Sequence, residues 1–231
     1  RAYLGGSAVL ASKAPCKGLV AEYIETQKNQ LAALGVQVEL NHAPTMAELR
    51  RLDPYGIFVA MGGQQIVPDI PGIDRENVFG IEDILLGRRA IEGREVAVIG
   101  GGHVGLEVAH FLCADNKVTI VEMADEIGAS VYYITKFKLL PLLREAGVTF
   151  RTGQAIAAVD DGSIRLRDTH TGQCTELKAE AVVLAMGSRP DLAARAAFDR
   201  NFDHVVYAGD AVRGGTMLEA NRDAFALAWE F

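Results

Sequence analysis

Two rhythms of apolar residues alternate along this chain. One is the uninterrupted run of a strand buried on both faces; the other is the three-to-four spacing of a helix with one apolar side. Val96-Ala-Val-Ile99 is such a run, and Leu106 to Leu112 is such a stripe. Lys117-Val-Thr-Ile-Val121 is a second run and ends on Glu122. Strand, helix, strand in about 27 residues is a βαβ unit. Before it, the spacing predicts a helix over 18–34 stopped by Gly35, on Leu19, Tyr23, Ile24, Leu31 and Leu34. A strand follows at Val36-Gln-Val-Glu-Leu40, then a short helix capped by Thr45 and Glu48, and a strand over 55–61. Residues 81–87 form a short helix. Residues 1–17, with Gly5-Gly6 and Ala14-Pro15, read as a loop.

After Glu122 the pattern predicts a helix over 131–146 containing Pro141. Short antiparallel strands follow at 148–151, 155–160, 163–168 and 173–178, with Asp161-Gly162 as a tight turn. Buried strands at 181–187 and 204–210 and a helix over 218–231 complete the chain. Strand-then-Met-Gly occurs twice, at Ile57–Gly62 and Val182–Gly187, each time before a proline-bearing crossover. The repetition predicts two related α/β domains, the second inserted into the first. The boundaries are 1–80 with 190–231 for the outer domain and 81–189 for the inner one.

The turn inside the βαβ unit carries the chemistry. Gly100 permits the tight exit from the strand, Gly102 leaves room for a pyrophosphate to approach the backbone, and Gly105 lets helix and sheet pack closely. Phosphates would lie on the free N–H groups at the helix start, formed by Gly101, Gly102, His103 and Val104. Glu122, with Met123 beside it, stands where a carboxylate accepts hydrogen bonds from a ribose 2′-hydroxyl. No Arg or Lys occurs from Glu122 to Gly128, so a 2′-phosphate would meet Glu122, Asp125 and Glu126 without a compensating cation, which favours NADH over NADPH. Glu107, on the first turn of the helix, has two readings: a favourable partner of the helix dipole, or a residue near the nicotinamide. His103 points from the turn into solvent and toward the cofactor. On the glycine turn alone, a methyltransferase binding S-adenosylmethionine is the runner-up.

Composition narrows the class. The 231 residues carry a net charge of −7 with no basic patch, which disfavours a nucleic-acid partner. No apolar run reaches the ~20 residues of a membrane span. Cys16, Cys113 and Cys174 lie far apart and match no zinc or iron–sulfur spacing, so no metal ligand is expected. With no basic-then-apolar leader, a cytoplasmic location is expected. The histidines and serines form no coherent acid–base or nucleophile set, so no catalytic side chain is assigned; hydride transfer between cofactors needs positioning and electrostatics only.

Gly100–Glu107, both strand-Met-Gly crossovers and Tyr207-Ala-Gly-Asp210 together resemble the two-dinucleotide flavoprotein reductases. In these an FAD domain is interrupted by an NAD(P)H domain. Leu4-Gly-Gly6, Lys13-Ala-Pro15, Tyr23–Gly35 and Glu126-Ile-Gly128 are similar to the C-terminal part of NADH:flavin oxidoreductases of the 2,4-dienoyl-CoA reductase and trimethylamine dehydrogenase type. The resemblance implies an α/β fold of two Rossmann-like domains, the NAD domain inserted in an FAD-type domain that lacks its first βα unit. It implies NAD(H) on the inner domain, and Gly187, Gly209 and Asp210 on the flavin side, with Asp210 at the FAD ribityl chain. FAD binding in this chain is expected to be weak or absent, and FMN and an iron–sulfur cluster are expected only in regions outside it. The partners implied are the dinucleotides and an upstream flavin domain, with open strand edges that invite a homodimer. The expected activity is hydride transfer from NADH to FAD in the intact protein, this chain alone being inactive. Related dehydrogenases keep this domain as a structural nucleotide site, so a non-catalytic adenine-nucleotide-binding domain is the alternative.

Overall fold

The computed structural model describes residues 1–231. The chain opens with α1 (Ser7–Lys13), α2 (Gly18–Ala33) and α3 (Met46–Arg51), then β1 (Ile57–Val59), β2 (Gln64–Gln65), β3 (Val78–Gly80) and α4 (Ile81–Leu85). Next come β4 (Glu95–Ile99), α5 (His103–Leu112), β5 (Lys117–Val121), α6 (Tyr133–Glu145) and β6 (Thr149–Arg151). The remainder is β7 (Gln154–Val159), β8 (Ser163–Asp168), β9 (Cys174–Lys178), β10 (Ala181–Leu184), β11 (Ser188–Arg189), α7 (Leu192–Asn201), β12 (Val205–Tyr207) and α8 (Met217–Glu230). The elements form two compact units, and in sequence the second interrupts the first.

The second unit comprises Leu10–Gly18 and Ile66–Gly187. Its parallel sheet has the order β3-β10-β4-β5-β6. Strand β4 pairs with β5 on one side (Val98 opposite Ile120) and with β10 on the other (Val98 opposite Val183). The strands read as unbroken apolar runs because both faces are covered. Val96, Val98, Val118, Ile120 and Val183 pack with Leu106, Val108, Leu139 and Leu143 of α5 and α6. The alternate residues Ala97, Ile99, Val121, Val182 and Leu184 pack with Ile156, Val159, Ile164 and Leu166 of the antiparallel meander β7-β8-β9. Helix α6 continues through Pro141. Strand β3 precedes residue 81 yet belongs to this sheet, so the unit takes in the crossover from Ile66 onward.

The first unit comprises Arg1–Val9, Leu19–Gln65 and Ser188–Phe231. It holds two small ladders: β1 parallel to β12, with Ile57 opposite Val205, and β2 antiparallel to β11. Helices α3 and α8 start on complete capping boxes, Thr45 with Glu48 and Thr216 with Glu219. Its buried hydrophobic residues are Ile24, Val59, Ala208 and Ala211 alone, whereas both core clusters lie in the second unit.

Four local expectations are corrected, and one further helix, α7, is unexpected. Residues 149–151, as β6, pair parallel with β5 rather than antiparallel. Val36–Leu40 alternates but forms no strand: no neighbouring strand offers it hydrogen bonds, and Val36, Val38 and Leu40 stay exposed. Residues 7–13 are helical rather than a loop, and Leu10 on that helix is buried in the core of the second unit. Helix α7 is started by Asp191, whose carboxylate accepts the Ala194 N–H at 2.9 Å. Along α2 only Ile24 is buried, and Leu19 and Leu34 face solvent.

Candidate functional site

The glycine turn leaves the C-terminal end of β4 where the sheet order reverses, with β5 to one side and β10 to the other. Ligands bind open α/β sheets at this switch point. Gly100 has φ +111°, and a Cβ there would lie 2.4 Å from the Ala185 carbonyl oxygen. A Cβ on Gly105 would lie 1.9 Å from the Gly100 carbonyl oxygen, so these two glycines are demanded by packing. A Cβ on Gly102 would meet nothing within 4 Å. Its backbone borders open space. Gly102 caps α5, whose first-turn N–H groups, including those of His103 and Val104, have no intrahelical acceptor.

Glu122 follows β5 and fastens the turn from the side. Its Oε2 accepts the Gly101 N–H at 2.7 Å, and its Oε1 accepts the Ala124 N–H at 2.8 Å. Each carboxylate oxygen keeps a second lone pair for another donor. The Gly128 N–H closes the far side on the Gly101 carbonyl at 2.9 Å. Met123 is exposed beside Glu122, as is Val104 on the first turn of α5.

Glu107 lies on the second turn of α5, not the first, because the helix begins at His103. The dipole effect fades within the first turn, and other partners hold this carboxylate. Its Oε1 lies 2.6 Å from Lys17 Nζ and 2.9 Å from His103 Nε2. Burial alone would push the Glu107 carboxyl up. The hydrogen bonds from His103 and Lys17, with the Lys17 charge, overcome burial and hold it below the ordinary value. His103 therefore turns back along the helix to Glu107 rather than only outward to solvent. Lys17 stands alone in Pro15-Cys-Lys-Gly18, and no sequence signal marked it as a partner.

The acids after Glu122 are also better balanced than their sequence neighbourhood predicts. Asp125 Oδ1 lies 2.6 Å from His170 Nε2, and Glu126 pairs with Lys136. Both partners come from outside the Glu122–Gly128 window, so the expected lack of compensation is corrected for Glu126 by Lys136 and, when His170 is protonated, for Asp125. Glu122 itself is held by backbone N–H groups.

The remaining predicted residues lie elsewhere. Gly187, with φ +85°, follows β10, and its carbonyl accepts the Ile66 N–H at 3.0 Å. In the first unit, Gly209 and Asp210 form the 3-10 turn that follows β12. Asp210 accepts the Ser188 hydroxyl at 3.1 Å and the Gly215 N–H at 3.2 Å. The second unit thus fits a dinucleotide: an open glycine, a free helix start and a strand-end acid. The first unit has Asp210 on the turn after β12, and its elements include no strand–glycine turn–helix. No group of three or more His, Cys, Asp or Glu side chains is placed to hold a metal, and no helix is long and apolar enough to cross a membrane.

Comparison with known proteins agrees with this geometry. The chain is 30% identical over 234 residues to an NADH oxidase of Thermoanaerobacter brockii, covering 99% of this chain and 36% of that protein. It is 29% identical over 208 residues to a bilirubin reductase of Mediterraneibacter gnavus, covering 90% of this chain and 32% of the other. Among solved structures it superposes on a 2-naphthoyl-CoA reductase with a TM-score of 0.88 at 26% identity, over 98% of this chain and 34% of that one. The chain therefore spans about a third of the length of these relatives. The resemblance to two-dinucleotide flavoprotein reductases holds, and residues 17–204 match the family model throughout: this chain belongs to the pyridine nucleotide-disulphide oxidoreductase family.

Proposed function

We propose that the second unit binds NADH, and that the chain is part of a larger flavoprotein oxidoreductase that passes hydride from NADH to FAD. In this reading the first unit is an FAD-type domain without its first βα unit, and Gly187, Gly209 and Asp210 serve the flavin side. One observation carries the reading: Glu122 grips the Gly101 N–H beside the open backbone of Gly102, at the switch point of a parallel sheet.

The pyrophosphate would take the N–H groups of Gly102, His103 and Val104, where the helix dipole favours an anion. Glu122 would accept the ribose 2′-hydroxyl, and Met123 would border the adenosine. When bound, NADH supplies the hydride; the protein supplies position and field. The Lys17–Glu107–His103 cluster fixes the start of α5 and keeps Glu107 anionic without a net buried charge. The name of the Thermoanaerobacter brockii relative, an NADH oxidase, supports this reading.

Isothermal titration with NADH, NADPH and ADP tests it. NADH is expected to bind at least about tenfold tighter than NADPH, because a 2′-phosphate would face the Glu122 carboxylate. Glu122→Gln should narrow that ratio to about threefold or less. Tighter binding of NADPH by the native chain overturns the reading of Glu122. A second reading, a non-catalytic adenine-nucleotide domain, draws on the placement of the only strand–glycine turn–helix of these residues in the second unit. It predicts that ADP binds as tightly as NADH. On either reading this chain alone should not consume NADH, even with FAD added.

A further inference from the structure

The hairpin between β8 and β9 is a surface turn that the nucleotide fold does not require, yet it is stitched to the loop that follows Glu122. Thr169 donates its N–H at 2.8 Å and its hydroxyl at 3.0 Å to the Gly153 carbonyl, and the same hydroxyl lies 3.4 Å from the Met123 carbonyl. Gly153 in turn donates its N–H to the Ala124 carbonyl at 2.9 Å. The turn itself is fixed by Asp168 Oδ1, which accepts the N–H groups of His170 at 2.9 Å and Thr171 at 2.7 Å. From this anchored turn His170 reaches across to Asp125, Nε2 to Oδ1, at 2.6 Å.

We infer that His170 is a positioning residue for the adenosine end of the dinucleotide: by gripping Asp125 it sets the loop Met123–Glu126 and, through it, the carboxylate of Glu122. This rests on the NADH reading above. The link from loop to carboxylate is direct, since Glu122 Oε1 accepts the Ala124 N–H. If Ala124 moves, Glu122 loses one of its two backbone donors, and its aim at a ribose is no longer fixed. A purely structural role for His170 is disfavoured by exposure. The side chains of His170 and Asp125 are 65% and 75% accessible, and exposed pairs contribute little to stability. The turn residues belong to neither core cluster.

The charges follow the same logic. His170 is faced by Asp125 from the loop and by Asp168 on its own turn, and the ring lies beside Gly153. The hydrogen bond to Asp125 and the charges of Asp125 and Asp168 raise the imidazole above its ordinary value. The grip is therefore strongest at mildly acidic pH and weakens as pH rises through that raised value.

The test compares the native chain with His170→Ala, His170→Gln and Asp125→Asn, titrating NADH, ADP-ribose and nicotinamide mononucleotide. His170→Ala should weaken NADH and ADP-ribose about threefold to fivefold and leave the mononucleotide unchanged, with the melting temperature unmoved. Asp125→Asn should match it. His170→Gln, which keeps a donor without the charge, should recover part of the loss and abolish the pH dependence of ADP-ribose affinity between mildly acidic and mildly alkaline buffer. Affinities of His170→Ala equal to native, or losses that fall equally on the mononucleotide, overturn the inference while leaving the site reading intact. A native chain that binds neither NADH nor ADP-ribose overturns both.

Discussion

Lys17 Nζ sits 2.6 Å from the Oε1 of Glu107, joining a segment near the start of the chain to the helix that follows the glycine turn. Glu107 is buried apart from a small edge, and it is the only charged residue in the buried set. A carboxylate so placed costs several kcal/mol unless it is paired, so the pair matters more through what its loss leaves behind than through its own attraction.

The first prediction concerns that loss. Lys17→Met should destabilise the second unit by about 1–3 kcal/mol at neutral pH, because Glu107 keeps only His103 as a partner. Glu107 is held below its ordinary value of 4.5 in the folded chain. Its contribution is thus present above that value and disappears as pH falls through the folded one. Urea unfolding at pH 7 and near pH 4 should show the Lys17→Met deficit shrinking in acid. An equal deficit at both would mean that Lys17 acts through packing alone.

Two glycines three positions apart should fail in opposite ways. Gly105→Ala pushes a methyl into the Gly100 carbonyl and should cost about 3 kcal/mol or more, enough to impair folding. Gly102→Ala meets no atom and should leave the melting temperature nearly unchanged. It should nonetheless weaken NADH at least about tenfold by filling the space over the turn. Thermal melts and titration together separate the two, and a Gly102→Ala chain with native affinity would remove the phosphate from this turn.

Tyr207 gives a spectroscopic handle on the first unit. Burial raises its phenol to about 12, aided by the hydrogen bond to Asp199 at 2.6 Å and by that carboxylate's charge. One of the six tyrosines should therefore ionise late in an ultraviolet titration, and Tyr207→Phe should remove that phase. A group whose value is raised on folding contributes stability below its ordinary value of 10, and the contribution is lost between there and about 12. The first unit should loosen across that alkaline window in the native chain and not in the variant.

The parts of this molecule that sequence reveals are those governed by local rules or by an unbroken apolar run. The strand–glycine–helix–strand unit, Thr45 with Glu48 at the start of α3, and the strand over Ser163–Asp168 are marked by patterns within a few residues, whereas the same pairing of Thr216 with Glu219 is not among the sequence expectations. What stays hidden depends on contacts distant in sequence. Val36–Leu40 has the alternation of a strand but no partner strand, so pattern alone misleads. Leu10 enters a core whose other members begin at Phe79. Lys17, His170 and Lys136 are partners that reach acids 90, 45 and 10 positions away, at separations no motif marks. The candidate site residues are legible as types and spacings; their electrostatic partners are not.

The floor beneath Gly100 is the Ala185 carbonyl, delivered by β10 after the whole meander has been made. During synthesis the glycine turn emerges some 85 residues before the strand that supports it, and parallel strands so far apart in sequence pair late. Completing the floor of the turn is consequently a late event in the folding of this unit. Until β10 has paired with β4, the fingerprint is present in the polypeptide but the carbonyl that underlies its first glycine is not in place.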